Sequence, residues 1–214
     1  MPIFSILLRN QSRLPVFYPA RPTGAHERFG VNDSMDETAL VERAKTDTQA
    51  FGLLYERYVD RIYSYVYYRT GSHPDAEDLT AKVFIQAMRH IRRYVQRGAP
   101  FSSWLYRIAH NAVANWHRDR SRQKVVSLDR LALVGMQGED SPFQRTAQRE
   151  QRSALLAAVR SQPADRQELL ILKFVEQMPN SEIGQIMGRS EGAVKSLYHR
   201  TLIALREELR DKIT

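Results

Sequence analysis

The sequence predicts an all-α protein: two small helical domains joined by a linker, the C-terminal one a helix-turn-helix. Apolar residues recur at spacings of three and four through most of the chain, and the alternation typical of strands is absent. Proline or glycine separates one helical pattern from the next. At 214 residues the chain is long enough for two such domains. We assign a tail to residues 1–34, a first domain to 35–120, a linker to 121–142 and the helix-turn-helix domain to 143–214.

The composition favours a polyanionic partner, and no catalytic motif is evident. The formal net charge is +8, which suits nucleic acid. There is no cysteine, so disulfides and thiolate zinc sites are excluded, as expected for a cytoplasmic protein. No metal-binding histidine spacing, phosphate-binding GxxxxGK motif or nucleophile–base pattern is evident. We therefore predict no cofactor, no metal, no catalytic residue and no enzymatic activity. No apolar run approaches the ~20 residues of a membrane span, so no membrane insertion is expected.

The first 34 residues differ from the rest of the chain. Ile3 to Leu8 is apolar, but prolines and glycines then break any periodicity. No basic segment precedes the apolar stretch, which argues against a signal peptide. We interpret these residues as a mobile tail, with Met35 as a candidate biological start.

Two helices are predicted next. The first runs from Asp36 to about Lys45. Asp47 caps the second, which continues through Thr70 and is closed by Gly71. Its predicted buried stripe comprises Phe51, Leu54, Tyr55, Tyr58, Ile62, Tyr65 and Val66. We expect its many tyrosines to serve core and interface packing rather than base stacking.

A third helix begins at Pro74, a residue favoured at the first helical position. Asp75, Glu77 and Asp78 crowd its first turn, where the helix dipole favours carboxylates. Capping alone can explain this cluster, and a docking face for a basic partner is the alternative. The residues expected to face inward are Ala76, Leu79, Val83, Ala87 and Ile91.

The charge changes sign after the third helix. From Arg89 to Lys124 the chain carries nine cations and one acid, Asp119. A loop precedes a helix predicted over Phe101 to Asp119, whose expected inner face is Trp104, Leu105, Ile108, Ala109, Ala112 and Val113. Cations interleaved with Tyr94, Phe101 and Trp116 are typical of a surface that binds phosphates and stacks an unpaired base. The alternative places Phe101 and Trp104 in the core and pairs Arg107 with an acidic neighbour.

The partly apolar linker is expected to lie extended along a partner. Helices resume over Phe143 to Ser161 and Ala164 to Glu176. Two short helices follow, with Asn180 and Ser190 as caps and Gly188 ending the first. Val194, Leu197, Thr201 and Leu205 form a core stripe on the second, and Lys195, Ser196, His199 and Arg200 form a donor-rich stripe. Such a helix suits the DNA major groove, although an ordinary helical hairpin with a solvated basic face is the alternative.

Three sequence motifs in the first domain indicate a known protein family. The segments Phe51–Tyr58, Asp75–Phe84 and Phe101–Asn111, in that order, resemble the first conserved domain of extracytoplasmic-function (ECF) sigma factors of the sigma-70 family. Gly192–Arg200 is similar to the recognition helix of their second domain. The resemblance covers roughly residues 36–210 and implies a subunit that binds core RNA polymerase and directs promoter-specific initiation.

The resemblance also implies partners and site residues. It assigns docking on the β′ clamp coiled coil and the β flap of core polymerase, binding of promoter DNA, and sequestration by an anti-sigma factor. The implied polymerase contacts are Asp75, Glu77, Asp78, Leu79, Val83 and Phe84. Recognition and melting of the −10 element are implied for Arg92, Arg93, Tyr94, Arg97, Asn111, Asn115, Trp116 and Arg118. Recognition of the −35 element is implied for Lys173, Lys195, Ser196, His199 and Arg200.

The chain departs from the family pattern at two places. Asn115 stands where many relatives carry an acid, and Asp119 interrupts an arginine run. Two other function classes remain at this stage. A conventional helix-turn-helix regulator binding operators as a dimer would explain the C-terminal domain but not the Asp75–Phe84 motif. A nucleic-acid enzyme would need clustered carboxylates or a metal beside the basic surface.

Overall fold

The computed structural model describes residues 37–96, 98–119 and 154–213, and regular structure within them is entirely helical. The chain divides after Leu54 into two units, Met1–Leu54 and Tyr55–Thr214. The predicted tail, the cap Asp36, the linker and the beginning of the helix predicted at Phe143 all lie outside the described residues.

Four helices form the first part of the fold. They are α1 (Glu37–Ala44), α2 (Thr48–Thr70), α3 (His73–His90) and α4 (Phe101–Asp119), with a short 3-10 turn at Ile91–Arg93 after α3. Asp47 caps α2 as predicted, since its Oδ1 accepts the Gln49 N–H at 2.8 Å. Gly71 follows α2 with φ of 68°, a left-handed conformation that glycine adopts without strain.

The start of α3 differs from the prediction by one residue. Ser72 is the N-cap and accepts the Asp75 N–H, so the helix begins at His73 and Pro74 stands second. Proline is tolerated there because the first N–H groups of a helix have no intrahelical acceptor.

The predicted inner faces are confirmed with three exceptions. All five inward positions of α3 are buried, as are most of the stripes on α2 and α4. Tyr55, Trp104 and Ala112 are only half-buried. The aromatic rings of the first domain pack edge-on or tilted, as with Tyr58 and Phe101 at 5.8 Å between centroids.

The C-terminal helices are α5 (described over 154–161), α6 (Ala164–Leu170), α7 (Asn180–Met187) and α8 (Glu191–Ile213). The helix predicted through Glu176 widens at Ile171 into a π-helical segment, Ile171–Val175. The Glu176 N–H bonds to the Ile171 carbonyl at 3.1 Å, five residues back, and Gln177 then takes a φ of 55°. Periodicity could not reveal this widening, since a π turn shifts the helical register by a single residue.

One predicted cap is wrong. Pro179, not Asn180, occupies the N-cap of α7. The Asn180 side chain instead accepts a hydrogen bond from Lys173 Nζ at 3.0 Å, which ties the π segment to the start of α7.

The turn between α7 and α8 forms as predicted. Gly188 ends α7 with φ of 67°, and Ser190 Oγ accepts the Ala193 N–H at 3.2 Å. The approach is close at Gly184, where an added Cβ would lie 2.6 Å from the Arg189 carbonyl oxygen. The stripe Val194, Leu197, Thr201 and Leu205 is buried, which confirms the predicted core face of α8.

Three carboxylates of the C-terminal helices meet donors on α2 and α4. Glu168, on α6, is the most enclosed. It forms an ion pair with Arg69 Nη1 at 2.6 Å, accepts the Tyr65 hydroxyl at 2.6 Å and lies 2.6 Å from His110 Nδ1. The Glu168 and Arg69 side chains are 3% and 7% exposed, so little water reaches the pair.

The other two carboxylates extend this contact. Glu176 Oε2 accepts two N–H groups of Arg61, each at 3.2 Å, and the hydroxyl of Tyr106. Glu182 Oε2 accepts the Ser103 hydroxyl at 2.7 Å. We use the term carboxylate network for Glu168, Glu176, Glu182 and the side chains whose hydrogen bonds they accept.

The charges of the carboxylate network depend on one another. Burial alone would raise the pKa of Glu168, but the charge of Arg69 and the hydrogen bond from His110 outweigh burial and hold it at about 2. Burial raises the pKa of Tyr65 and Tyr106 well above its usual value, so both hydroxyls stay protonated and donate. Removing either partner of such a pair would leave the other charge buried and uncompensated, which destabilises a fold by several kcal/mol.

Gly184→Ala is expected to destabilise the helix-turn-helix by roughly 1–3 kcal/mol, because the Arg189 carbonyl is backbone and must shift. Thermal unfolding measures the effect. Gly192→Ala is the matched control, since nothing lies within 4 Å of its added Cβ, and its stability should be unchanged or raised. Equal Tm values for the two variants would contradict the close approach.

Glu168 should make folding sensitive to acid. Its carboxylate titrates near 4.5 when unfolded and at about 2 when folded, so its contribution is present above pH 4.5 and is lost as pH falls towards 2. The loss is on the order of 3 kcal/mol. The slope of the free energy of unfolding against pH, measured by urea unfolding between pH 5 and 2, should be smaller for Glu168→Gln than for the parent chain. Glu191→Gln, at an exposed position, should keep the parent slope, and a parent slope in Glu168→Gln would contradict the assignment.

Candidate nucleic-acid interface

The donor-rich stripe of α8 lies on the surface. Lys195, Ser196, His199 and Arg200 are all exposed, opposite the buried stripe. Lys195 Nζ pairs with Glu191 at 2.8 Å, and Arg200 Nε donates to the Ser196 carbonyl at 3.3 Å. An exposed ion pair exchanges readily for a phosphate or a base edge, since it contributes little in water. The four side chains lie on one face of a single helix, and the major groove of DNA admits an α-helix.

Lys173 is placed on the π segment and not on α8. It is half-buried, with its ammonium bonded to Asn180. The π segment adjoins α8 through Phe174 and Tyr198, whose ring centroids lie 6.2 Å apart. Lys173 is therefore near α8 but is held by a neighbouring side chain.

The acidic cluster at the start of α3 is largely open to solvent. Glu77 and Asp78 are exposed and Asp75 is half-buried. Asp78 pairs with Lys82 at 2.6 Å, with both side chains more than 60% exposed. These carboxylates are therefore accessible to a basic partner.

The three apolar residues that the resemblance assigned to polymerase contact lie inside the domain. Leu79, Val83 and Phe84 are 4%, 0% and 3% exposed, and Phe84 packs edge-on against Tyr55 at 4.8 Å. Their burial is at odds with direct contact, because helical spacing turns them towards the core. They hold α3 in place, while the three carboxylates are the exposed or half-buried members of the predicted set.

The predicted −10 residues fall into two groups. Arg92 and Arg93 are exposed in the 3-10 turn after α3. Asn111, Asn115 and Arg118 are exposed along one side of α4, with Arg118 donating to Asn115 at 3.0 Å. Arg97 lies outside the described residues.

The aromatic members of the −10 set are less accessible than predicted. Tyr94 is 7% exposed and packs against Phe101 and Trp104 at 5.5 and 4.9 Å. It is unavailable for stacking on a base in this conformation, and its ring belongs to the core of the domain. Trp116 is half-buried and lies edge-on to His117 at 4.8 Å.

The sequence did not predict the carboxylate network. A usable signal is present, because Arg61, Tyr65 and Arg69 recur every four residues on α2 and Tyr106 and His110 do so on α4. A polar stripe that follows the helical period marks a second packing face. Arg107, for which an acidic partner was the alternative, instead donates to the Gln185 carbonyl on α7.

None of the helices in the described part of the chain combines the length and apolar character needed to cross a bilayer.

Both halves of the chain match known protein families. The model of Sigma-70 region 2 matches residues 54–123, and that of Sigma-70, region 4 matches residues 152–205. The chain is 37% identical over 181 residues to the ECF RNA polymerase sigma factor BldN of Streptomyces coelicolor, covering 84% of this chain and 68% of BldN. It is 30% identical over 190 residues to the ECF RNA polymerase sigma factor SigW of Bacillus subtilis, covering 84% of this chain and 99% of SigW.

A solved structure shares the fold. The sigma factor RpoE of Bartonella quintana, crystallised with the anti-sigma factor NepR, matches with a TM-score of 0.54 at 20% identity, over 76% of this chain and 98% of RpoE. The two matched regions, their order and the identity to these two relatives lead to one conclusion: the chain belongs to the ECF sigma factors, RNA polymerase sigma factors of the sigma-70 family.

Proposed function

We propose that this chain binds core RNA polymerase through its first domain and selects promoters by contacting the −10 element with that domain and the −35 element with its helix-turn-helix. The observation that carries the proposal is the exposed donor face of α8 over a fully buried stripe. The domain limits that we propose are 35–120 and 143–214, joined by residues 121–142.

The acidic start of α3 is our candidate polymerase contact. Asp75, Glu77 and Asp78 would meet basic groups of the β′ clamp coiled coil, while the helix-turn-helix domain approaches the β flap. Their position in the first turn also suits the helix dipole, so capping and docking are compatible.

The −10 contacts that we propose use the exposed side of α4. Asn111 and Asn115 offer paired donors and acceptors to an unstacked base, and Arg118, Arg92 and Arg93 offer charge to the phosphates. Extruding a base costs a few kcal/mol, which these contacts and the partly exposed Trp116 would offset.

Two DNA-binding sites of moderate affinity suffice because the linker connects them. Once one domain is bound, the linker holds the other at a high effective concentration near its element. We propose that the protein performs no bond chemistry itself, acts in the cytoplasm, and is controlled by an anti-sigma factor, as the family resemblance implies. A dimeric operator-binding regulator is not favoured, because it would not contain region 2.

Run-off transcription tests the proposal as a whole. Core enzyme supplemented with this chain should initiate at a distinct set of promoters, whose start sites can be mapped across the genome. A stable dimer with no affinity for core enzyme would overturn the proposal.

Asp78→Lys should weaken binding to core polymerase while leaving the fold intact, because the side chain is exposed and the charge at the docking face is reversed. Fluorescence anisotropy with labelled chain measures the affinity. Lys82→Gln is the matched control, since it breaks the same ion pair but keeps the carboxylate. Unchanged affinity in Asp78→Lys, or equal loss in both variants, would count against a contact made by this carboxylate.

Arg200→Ala should cost about 1–3 kcal/mol at a cognate −35 element if the guanidinium bonds a base edge bidentately. Binding to cognate and scrambled duplexes at fixed salt measures the cost. Arg206→Ala removes an exposed arginine from the same helix outside the donor stripe and should have little effect on specificity. Equal loss on both duplexes would assign Arg200 to the phosphate backbone.

A further inference from the structure

The helix α8 begins with an acidic side chain beside its donor-rich stripe. Glu191 is the first residue of α8, and its Oε1 lies 2.8 Å from Nζ of Lys195, about one turn further on. The Glu191 side chain is 49% exposed and that of Lys195 is 62% exposed, so both can reach a ligand. A carboxylate in this place requires an explanation, because the surface beside it is proposed to bind a polyanion.

The stability of α8 gives only a weak reason for this carboxylate. Ser190 already caps the helix, since its Oγ accepts the Ala193 N–H at 3.2 Å. The helix dipole favours an acid in the first turn, but an exposed ion pair between residues four apart contributes little in water. What Glu191 changes most is the set of chemical groups that the start of α8 can bind.

The start of α8 is open to a close approach by DNA. Gly192 is exposed, and nothing lies within 4 Å of a Cβ added to it. Glu191 and Lys195 form a row with His199 along the helix, because residues four apart are neighbours on one face. In helix-turn-helix proteins the N-terminal residues of the second helix contact the base edges. We therefore expect Glu191 and Lys195 to reach base edges together.

A carboxylate in the major groove needs a hydrogen-bond donor. It only accepts hydrogen bonds, and the phosphates repel it. The donors that base edges offer in the major groove are the amino groups of cytosine, at N4, and of adenine, at N6. Where DNA lacks such a group within reach, the charge of Glu191 opposes binding and competes with the phosphates for Lys195.

We propose that Glu191 and Lys195 together read one C·G base pair of the −35 element. The Glu191 carboxylate accepts a hydrogen bond from cytosine N4, while the Lys195 ammonium donates to guanine O6 and N7. Lysine has three N–H donors, so one of them can stay on Glu191. This inference rests on the proposed −35 contact of α8 and specifies a base pair that the contact selects.

The spacing of the ion pair fits this base pair. An N–H···O hydrogen bond such as that between cytosine N4 and guanine O6 spans about 2.9 Å. Lys195 Nζ and Glu191 Oε1 are 2.8 Å apart, so the two charged groups can face the two base groups side by side. An A·T pair offers the same order of donor and acceptor, but thymine gives lysine one acceptor where guanine gives two. C·G is therefore the preferred partner.

Selection from a promoter library tests this assignment. Holoenzyme reconstituted with the full chain is bound to promoters that are randomised around −35 and constant elsewhere, and the bound DNA is sequenced. The parent chain should favour C·G at one position, on the order of tenfold over the other pairs. Glu191→Ala should lose most of that preference and keep the preferences at other positions. Glu207→Ala, which removes another exposed glutamate of α8, should keep them all.

A charge exchange separates base reading from a merely structural effect. The double variant Glu191→Lys with Lys195→Glu keeps the ion pair but reverses the order of donor and acceptor. It should prefer G·C at the position where the parent chain prefers C·G. An ion pair that only stabilised α8 would give no such inversion.

Binding to a duplex without promoter elements gives an independent measurement. Glu191→Ala should bind this duplex more tightly than the parent chain does, because the repelled carboxylate is gone and Lys195 is free to meet a phosphate. The slope of log K against log salt should become steeper by roughly 0.9, as one added phosphate contact requires.

The possible results distinguish this assignment from the proposed function. An unchanged C·G preference in Glu191→Ala, or an equal loss of preference at every position, would overturn the assignment. So would a parent preference for A·T there, a double variant that does not invert the preference, or an unchanged salt slope. If the parent holoenzyme selected no −35 sequence at all, the proposed function would fail and this inference with it. Selection at −35 that ignores Glu191 would remove the inference alone.

Discussion

The arrangement of the larger unit depends on one buried carboxylate. Glu168 carries its charge into a site from which water is nearly excluded, and such a charge is tolerated only with compensating partners. Arg69 supplies the opposite charge, while Tyr65 and His110 supply hydrogen bonds from two different helices. Because the four groups come from α2, α4 and α6, they fix the positions of three helices with respect to one another. The contacts of Glu176 and Glu182 belong to the same interface between helices and extend it to α7.

The sequence predicted well what depends on local pattern. The buried stripe of α8, the limits of α4 at Phe101 and Asp119, and the glycine that ends α7 all follow from helical periodicity or from backbone conformation. These features are local, so no knowledge of distant neighbours was needed. The resemblance to a family then supplied the order of the two domains, and the matched regions confirm it.

What the sequence did not predict depends on contacts between distant segments. Glu168 stands beside Leu169 and Leu170, and nothing nearby in sequence identifies Arg69, 99 residues earlier, as its partner. Tyr94 illustrates the opposite error, because an aromatic residue among arginines suggested a base-stacking surface, yet tertiary packing covers the ring with Phe101 and Trp104. The apolar residues of α3 that the resemblance assigned to polymerase contact show the same effect. A family motif contains both the residues that touch a partner and the core residues that support them.

The placement of the carboxylates has a further consequence for how region 4 approaches DNA. Glu168, Glu176 and Glu182 lie on the side that faces region 2, while Lys195 and Arg200 are exposed on the donor face of α8. Acidic side chains of region 4 therefore lie towards region 2, while basic side chains lie on the donor face of α8. In the field of a duplex the acidic side is repelled and the basic side attracted, so the domain experiences a torque as well as a pull. Long-range electrostatics would then orient the recognition helix before any base is touched, and added salt would slow that orientation by shortening the range of the field.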